Sequence, residues 1–267
     1  MPATTKPAVV LHDTFGRIAD DLRISVTDRC NFRCIYCMPA AGLPWIPRDE
    51  VLSFEEITRV TRILVSDCGV RTIRLTGGEP LVRKGIEQLT AMIAGLEEGL
   101  DIAMTTNGIL LREKAAALRS AGLSRVNISL DTLQRDRFRD LARRDALERV
   151  LDGITAAREA GFTRIKLNMV VMRGVNDDEI LDFARLAREE GYEVRFIEFM
   201  PLDADGIWSP ESVVASREII DAIDREFPVE PVYDERPAPA NRFRFRDGAP
   251  GGVGVISSVS DAFCKVC

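Results

Sequence analysis

The chain has 267 residues, 46% of them apolar and 29% charged, a composition that excludes disordered, collagen-like and fibrous classes. Its 36 Lys and Arg against 42 Asp and Glu give a net charge of −6, which argues against a broad nucleic-acid footprint but allows a few cations focused in one cleft to hold a small anion. No charge-free window reaches the roughly 18 residues of a membrane span, and the apolar run Ala8 to Leu11 is too short for a signal-peptide core, so a cytoplasmic protein without membrane contact is expected.

Residues 1–20 read as an N-terminal tail. His12, the single histidine, lies in it and is expected to be merely solvated. Two-His zinc catalysis and His-Asp-Ser triads are excluded, because both need histidines in the body of the fold. Next come six apolar, β-branched runs that predict strands: Leu22 to Val26, Thr72 to Leu75, Ile102 to Thr105, Val126 to Leu130, Ile165 to Val171 and Val194 to Phe199. Helical periodicity fills the gaps at Phe54 to Val65, Ile86 to Leu96, Leu110 to Leu118, Leu147 to Ala160 and Ile180 to Ala187. Ser53 and Glu56 form a capping box, and Gly69, Gly122, Gly161 and Gly191 stand at C-cap positions.

Strand and helix in alternation predict parallel βα units. Six units are too few for a closed eight-stranded barrel, so residues 21–227 are expected to form an α/β partial (βα)6 TIM-like barrel. From Pro228 the texture changes, and prolines punctuate strand-like runs at Arg242 to Arg246 and Gly252 to Val259. Residues 228–267 read as a small C-terminal β segment.

Cys30, Cys34 and Cys37 form a C-x3-C-x2-C group directly after the first predicted strand, at the sheet edge where parallel α/β folds keep their active sites. Three thiolates at that spacing can each hold one iron of a [4Fe–4S] cluster and leave the fourth iron open. A structural zinc site, which needs a fourth ligand, and thiols with no metal are the alternatives. The turn Thr76-Gly77-Gly78-Glu79-Pro80 follows the second strand, with two glycines that allow close backbone approach to a ligand or simply a tight turn. Neither a P-loop nor a G-x-G-x2-G fingerprint is found, so a nucleotide is not held in those ways. Arg23, Arg74, Thr105 and Lys166 stand in or at the end of apolar strands. Buried cations need partners, and their convergence would suit a polyphosphate, whereas separately each reads as a salt bridge or a solvated edge.

With the cysteines stand DLRISVTDRC (21–30), LTGGEP (75–80), MTTNG (104–108), VNISLD (126–131) and FIEFM (196–200). In this order they resemble the radical S-adenosylmethionine (SAM) superfamily and, within it, the GTP 3′,8-cyclases of molybdenum cofactor biosynthesis, from about Phe15 to Cys267. The resemblance implies that the open iron of the first cluster chelates SAM, that Tyr36, Gly78, Ser129 and Met200 contact SAM with Glu79 as an acceptor for its amino group, and that Arg23, Arg74, Thr105 and Lys166 bind GTP. It assigns Arg23 and the three cysteines to catalysis: reductive cleavage of SAM gives a 5′-deoxyadenosyl radical that abstracts the ribose C3′ hydrogen, and the C3′ radical attacks purine C8. It also implies a one-electron donor such as flavodoxin or ferredoxin and cyclic pyranopterin monophosphate synthase as the next enzyme, with no nucleic-acid or membrane partner and a homodimer left open. Cys264 and Cys267 look like the start of the family's second cluster site, whose third cysteine is not in the sequence, so an impaired or incomplete second site is expected. Other radical SAM chemistry on peptides or proteins, or a non-catalytic iron–sulfur protein, is the alternative.

Overall fold

A computed structural model of the protein describes residues 9–203, 205–233 and 238–261. Six strands, β1 (Asp21–Ser25), β2 (Thr72–Thr76), β3 (Asp101–Thr106), β4 (Arg125–Ser129), β5 (Ile165–Val171) and β6 (Glu193–Glu198), pair in parallel in chain order. Between them run α1 (Phe54–Cys68), α2 (Ile86–Ala94), α3 (Leu111–Ser120), α4 (Arg135–Ala142), α5 (Leu147–Glu159) and α6 (Ile180–Glu190). Strands in sequential order with crossovers of one hand place the helices on one face, and α1 packs on α2, α2 on α3, α3 on α5. The result is an open, partial TIM-like barrel.

Alternation along each strand sorts the side chains. Ile73, Leu75, Met104, Val126, Ile128, Leu167, Met169, Val194 and Phe196 point to the helices and are fully buried. The opposite, inner face carries Arg23, Arg74, Thr105, Asn127, Ser129, Lys166, Asn168, Glu193 and Arg195, which stand in register across the sheet. The predicted capping box at Ser53 is formed, with Ser53 N–H donating to Glu56 Oε2 at 2.7 Å and Glu56 N–H to Ser53 Oγ at 3.2 Å. Gly69 and Gly191 close α1 and α6 in the left-handed region, while Gly122 and Gly161 fall one residue beyond the caps of α3 and α5.

Helices α4 and α7 (Ser216–Glu226) and strand β7 (Val229–Val232) are additions to the sequence-based reading. The C-terminal strands do not form a separate layer. Strand β9 (Gly252–Ile256) lies parallel to β6, and β8 (Asn241–Phe245) and β7 follow antiparallel, giving one sheet in the order β1-β2-β3-β4-β5-β6-β9-β8-β7. Gly251 permits this junction, because a Cβ there would run into the Ala187 carbonyl of α6. His12 sits in a short exposed turn, bridged to Ile18 and hydrogen-bonded to the Gly16 carbonyl at 3.3 Å. No helix among the described residues is long and apolar enough to cross a membrane.

Candidate active site

The loop that leaves β1 carries all three cysteines and is fastened on several sides. Arg33 and Ile35 donate their N–H groups to the Ala142 and Leu141 carbonyls at 3.2 and 3.0 Å, so the last turn of α4 is the platform for the loop. The Phe32 and Phe138 rings meet edge to face at 5.8 Å. Arg33 turns back to the Cys30 and Phe32 carbonyls, both at 2.8 Å, and Asn107 Nδ2 donates to Asn31 Oδ1 at 2.7 Å.

Cys30 and Cys34 are half-buried and Cys37 is exposed. Each thiol pKa is raised. Burial is the main cause for all three; Glu79 and Cys37 add to it at Cys30, Asp131 and the other two thiols at Cys34, and Asp131 at Cys37. Phe32 N–H already points at Cys30 Sγ at 3.4 Å, a contact that favours the thiolate. Among the described residues no three Cys, His, Asp or Glu side chains are close enough to ligate one ion. Three thiols suit one thiolate per iron of a cluster, whereas a structural zinc would need a fourth ligand.

The glycine turn abuts this loop. Gly78 N–H donates to the Thr27 carbonyl at 2.7 Å and Glu79 N–H to the Arg29 carbonyl at 2.8 Å, and a Cβ on Gly78 would collide with the Arg29 carbonyl. The room that glycine provides here is therefore used first by the cysteine loop. Glu79 stands inside this turn. It is 1% exposed and its carboxylate already accepts from Thr106 Oγ1 at 2.6 Å, Asn107 N–H at 2.7 Å and Leu81 N–H at 3.0 Å. Burial raises its pKa against these three donors. Its place is between the β2 and β3 turns, holding Asn107 toward Asn31.

Ser129 ends β4 at the same edge, and Met200 follows β6 by two residues. Tyr36 directs its hydroxyl into the protein, onto Asp131 Oδ2. Opposite Ser129 stands Asn168, whose Oδ1 is buried without a hydrogen-bond partner, as is Asn127 Oδ1 on the neighbouring rung. Two orphaned acceptors on one face are what a ligand with N–H or O–H donors would satisfy.

The four expected anchors share the inner face but fall into two groups. Arg23 and Arg74 are side by side on β1 and β2; Arg74 is held by Asp21, with Nε 3.2 Å from its carboxylate, while Arg23 is exposed and has no hydrogen-bond or ion-pair partner among the described residues. Thr105 and Lys166 flank Asn127, which reaches Thr105 Oγ1 at 3.5 Å. Lys166 lies toward the lower edge of the sheet with Glu193, Arg195 and Arg242, and there lines a cavity of about 480 Å³.

Two sequence models of known families match. That of the radical SAM superfamily covers residues 24–187, and that described as Molybdenum Cofactor Synthesis C covers 192–267. The GTP 3′,8-cyclase of Rhodopirellula baltica is 48% identical over 269 residues, covering all of this chain and 75% of the relative. That of Geobacter sulfurreducens is 52% identical over 258 residues, covering 96% and 78%. The chain belongs to the GTP 3′,8-cyclase family. Among solved structures, Streptococcus suis SuiB bound to its precursor peptide SuiA gives a TM-score of 0.64 at 17% identity over 78% of this chain and 46% of that one. Methylornithine synthase PylB gives 0.60 at 18% identity over 78% and 62%; both likenesses concern the fold.

Membership in the cyclase family brings a [4Fe–4S] cluster and SAM as its cofactors, and the three thiols beneath α4 fit the first of them. Cys264 and Cys267 lie outside the described residues. The motif reading missed Asn127, Asn168, Glu193 and Arg195 on this cyclase's inner face. Asn127 and Asn168 left a signal, as polar residues at alternate positions of apolar strands. Glu193 left none, because its significance depends on register with a strand 27 residues away.

Proposed function

We propose that this chain converts GTP to (8S)-3′,8-cyclo-7,8-dihydroguanosine 5′-triphosphate in molybdenum cofactor biosynthesis. One observation carries the reading: the loop of three thiols leaves a sheet whose polar inner face holds Arg23, without a partner among the described residues, and two asparagine oxygens that likewise lack one.

Cys30, Cys34 and Cys37 would hold the cluster, and Gly78, Ser129 and Met200 would border SAM, with Tyr36 bracing the loop from behind. The bound cofactors supply one-electron reductive chemistry that starts a radical reaction, and the protein's part is to bind, orient and shield. Arg23, which has no partner among the described residues, is available to a substrate. Arg74, Thr105 and Lys166 extend the contact across the sheet, so the nucleotide would lie along the inner face, its phosphates among the cations and its ribose toward the cysteine loop. Glu79 acts at one remove, by holding the turn that borders SAM.

Cys264 and Cys267 would supply two thiolates of a second cluster, a site that is incomplete without a third cysteine. An acidic carrier such as flavodoxin or ferredoxin would deliver the electron, cyclic pyranopterin monophosphate synthase would take the product, and the reaction would run in the cytoplasm. Anaerobic reconstitution followed by SAM, reductant and GTP tests the reading. It expects formation of 5′-deoxyadenosine to depend on GTP; 5′-deoxyadenosine formed at the same rate with and without GTP would overturn the substrate assignment.

A further inference from the structure

Three cations on the inner face share one carboxylate. Glu193 Oε1 accepts from Lys166 Nζ at 2.9 Å and from Arg195 Nε at 2.8 Å, and Arg242 Nε stands 3.9 Å away. The strands make this convergence. Glu193 is in register with Lys166 on β5 on one side and with Gly252 on β9 on the other, and β8 brings Arg242 over Gly254.

The group is poorly hydrated, with the Lys166 side chain 9% exposed, Arg195 15% and Glu193 20%. Burial pulls the Lys166 pKa down to about 8, and the neighbouring Arg195 adds to the effect. Lys166 and Arg195 set against the single carboxylate of Glu193 leave positive charge in excess among these three side chains, and in a partly dehydrated setting that excess attracts anions strongly. Beside the group opens the cavity of about 480 Å³, whose lining includes Arg164, Lys166, Glu193, Arg242 and Arg244. Arg244 is held by Glu230 at 2.6 Å, whereas Arg164 has no hydrogen-bond or ion-pair partner among the described residues.

We propose that Glu193 is a resident counter-ion in this subsite, which a polyphosphate displaces from Lys166 and Arg242 and whose charge limits how tightly that polyphosphate is held. The proposal rests on the reading of GTP as substrate. An incoming chain of phosphates can take over the hydrogen bonds that Glu193 accepts, because its oxygens are acceptors of the same kind at higher charge density. The carboxylate cannot leave the strand. Once displaced it faces the ligand as a like charge, so affinity is lower than the cations alone would give. For an enzyme that must release a product with the same triphosphate, this weakening keeps the subsite from becoming a trap.

Glu193→Gln isolates the effect. The amide oxygen keeps an acceptor for Lys166 and Arg195, and only the charge is lost. Calorimetric titration of the anaerobically purified chain with GTP, inorganic triphosphate, guanosine and SAM is the measurement. The variant should bind GTP and inorganic triphosphate about tenfold more tightly, with a steeper dependence on salt, and should leave guanosine and SAM unchanged. Glu193→Asp, which keeps the charge, should stay near the wild type.

A merely structural role would weaken all four ligands together. Unchanged or weaker triphosphate binding by folded Glu193→Gln, or equal tightening by Glu193→Asp, would overturn the proposal. Should Glu193→Gln fail to fold, Glu193→Ala carries the same test. Wild-type protein that binds neither GTP nor inorganic triphosphate would instead defeat the substrate reading, and this proposal with it.

Discussion

The hydroxyl of Tyr36 donates to Asp131 Oδ2 at 2.7 Å, joining the cysteine loop after β1 to the turn after β4 across 95 residues of sequence. Asp131 Oδ1 accepts from Val170 N–H at 2.8 Å, and its carbonyl accepts from Asn176 Nδ2 at 2.8 Å, so three strand ends are locked behind the thiols. Burial pushes the Asp131 pKa up to about 6, against the two donors that favour its charge.

Tyr36→Phe removes the donor and leaves a buried carboxylate oxygen unpaired. A loss of about 1 to 3 kcal/mol of stability is expected, with faster alkylation of Cys34 in the metal-free protein. Denaturant unfolding and timed thiol labelling measure the two effects. An unchanged midpoint together with unchanged labelling would mean that the bond does not brace the loop.

Cys34→Ala should abolish the first cluster, because the remaining two thiols cannot serve three irons. Iron content and the visible absorption of the reconstituted variant are the readouts. Retention of a cluster that still cleaves SAM would remove Cys34 from the ligand set.

Lys166 predicts a pH effect on nucleotide binding. With its pKa depressed to about 8, the ammonium is present below that value and is lost as pH rises through it. Anion binding favours the charged form, so GTP affinity should fall between pH 7 and 9, while Lys166→Arg should flatten the fall. At pH 7, Lys166→Ala should cost about 1.5 to 3 kcal/mol of GTP binding, the size of a charge-assisted hydrogen bond, and spare SAM. Titration calorimetry across the range decides; a pH-independent wild type would contradict the assignment.

Glu198, with 0% exposure, ties the chain beyond β9 to the barrel. Its carboxylate accepts from Ser216 N–H at 2.7 Å, from Val259 and Ser260 N–H at 2.8 Å each, and from Ser260 Oγ. Burial alone would raise its pKa, but these donors outweigh it and leave it below the usual carboxylate range. A carboxylate depressed in the folded state stabilises above its unfolded pKa, and that contribution disappears as pH falls through the folded value. Glu198→Gln should therefore lower stability by about 1.5 to 3 kcal/mol at pH 7, and the gap to the wild type should narrow in acid. Urea unfolding at both ends of the range checks the sign; a gap that widens in acid would refute it.

The parallel strands were legible because their helix-facing residues, such as Ile73 and Leu75, are completely buried and so recur as apolar residues at alternate positions. Helix α4 was not. Within RDRFRDLA only Phe138, Leu141 and Ala142 are buried, and its service to the site comes from two backbone carbonyls that no side chain announces. Helix α7 carried a usable signal in Ile219 and Ile223, four residues apart, and could have been found. The cysteine triad was plain from spacing. The partners of Arg74 and Lys166, namely Asp21 and Glu193, were not, since each pair exists only through strand register. Glu79 belonged to a recognisable motif, yet its direction depends on where Thr106 and Asn107 arrive from β3.

With every helix on one side of the sheet, consecutive residues of a strand answer to different demands. Leu167 is fully buried toward the helices, while Lys166 and Asn168 beside it face the open side. A substitution on the open side changes what the wall can hold and disturbs none of the helix contacts, and one on the helix side does the reverse. Such a wall can acquire a new specificity one rung at a time, from Thr105 to Asn127 to Lys166, on a core that stays the same.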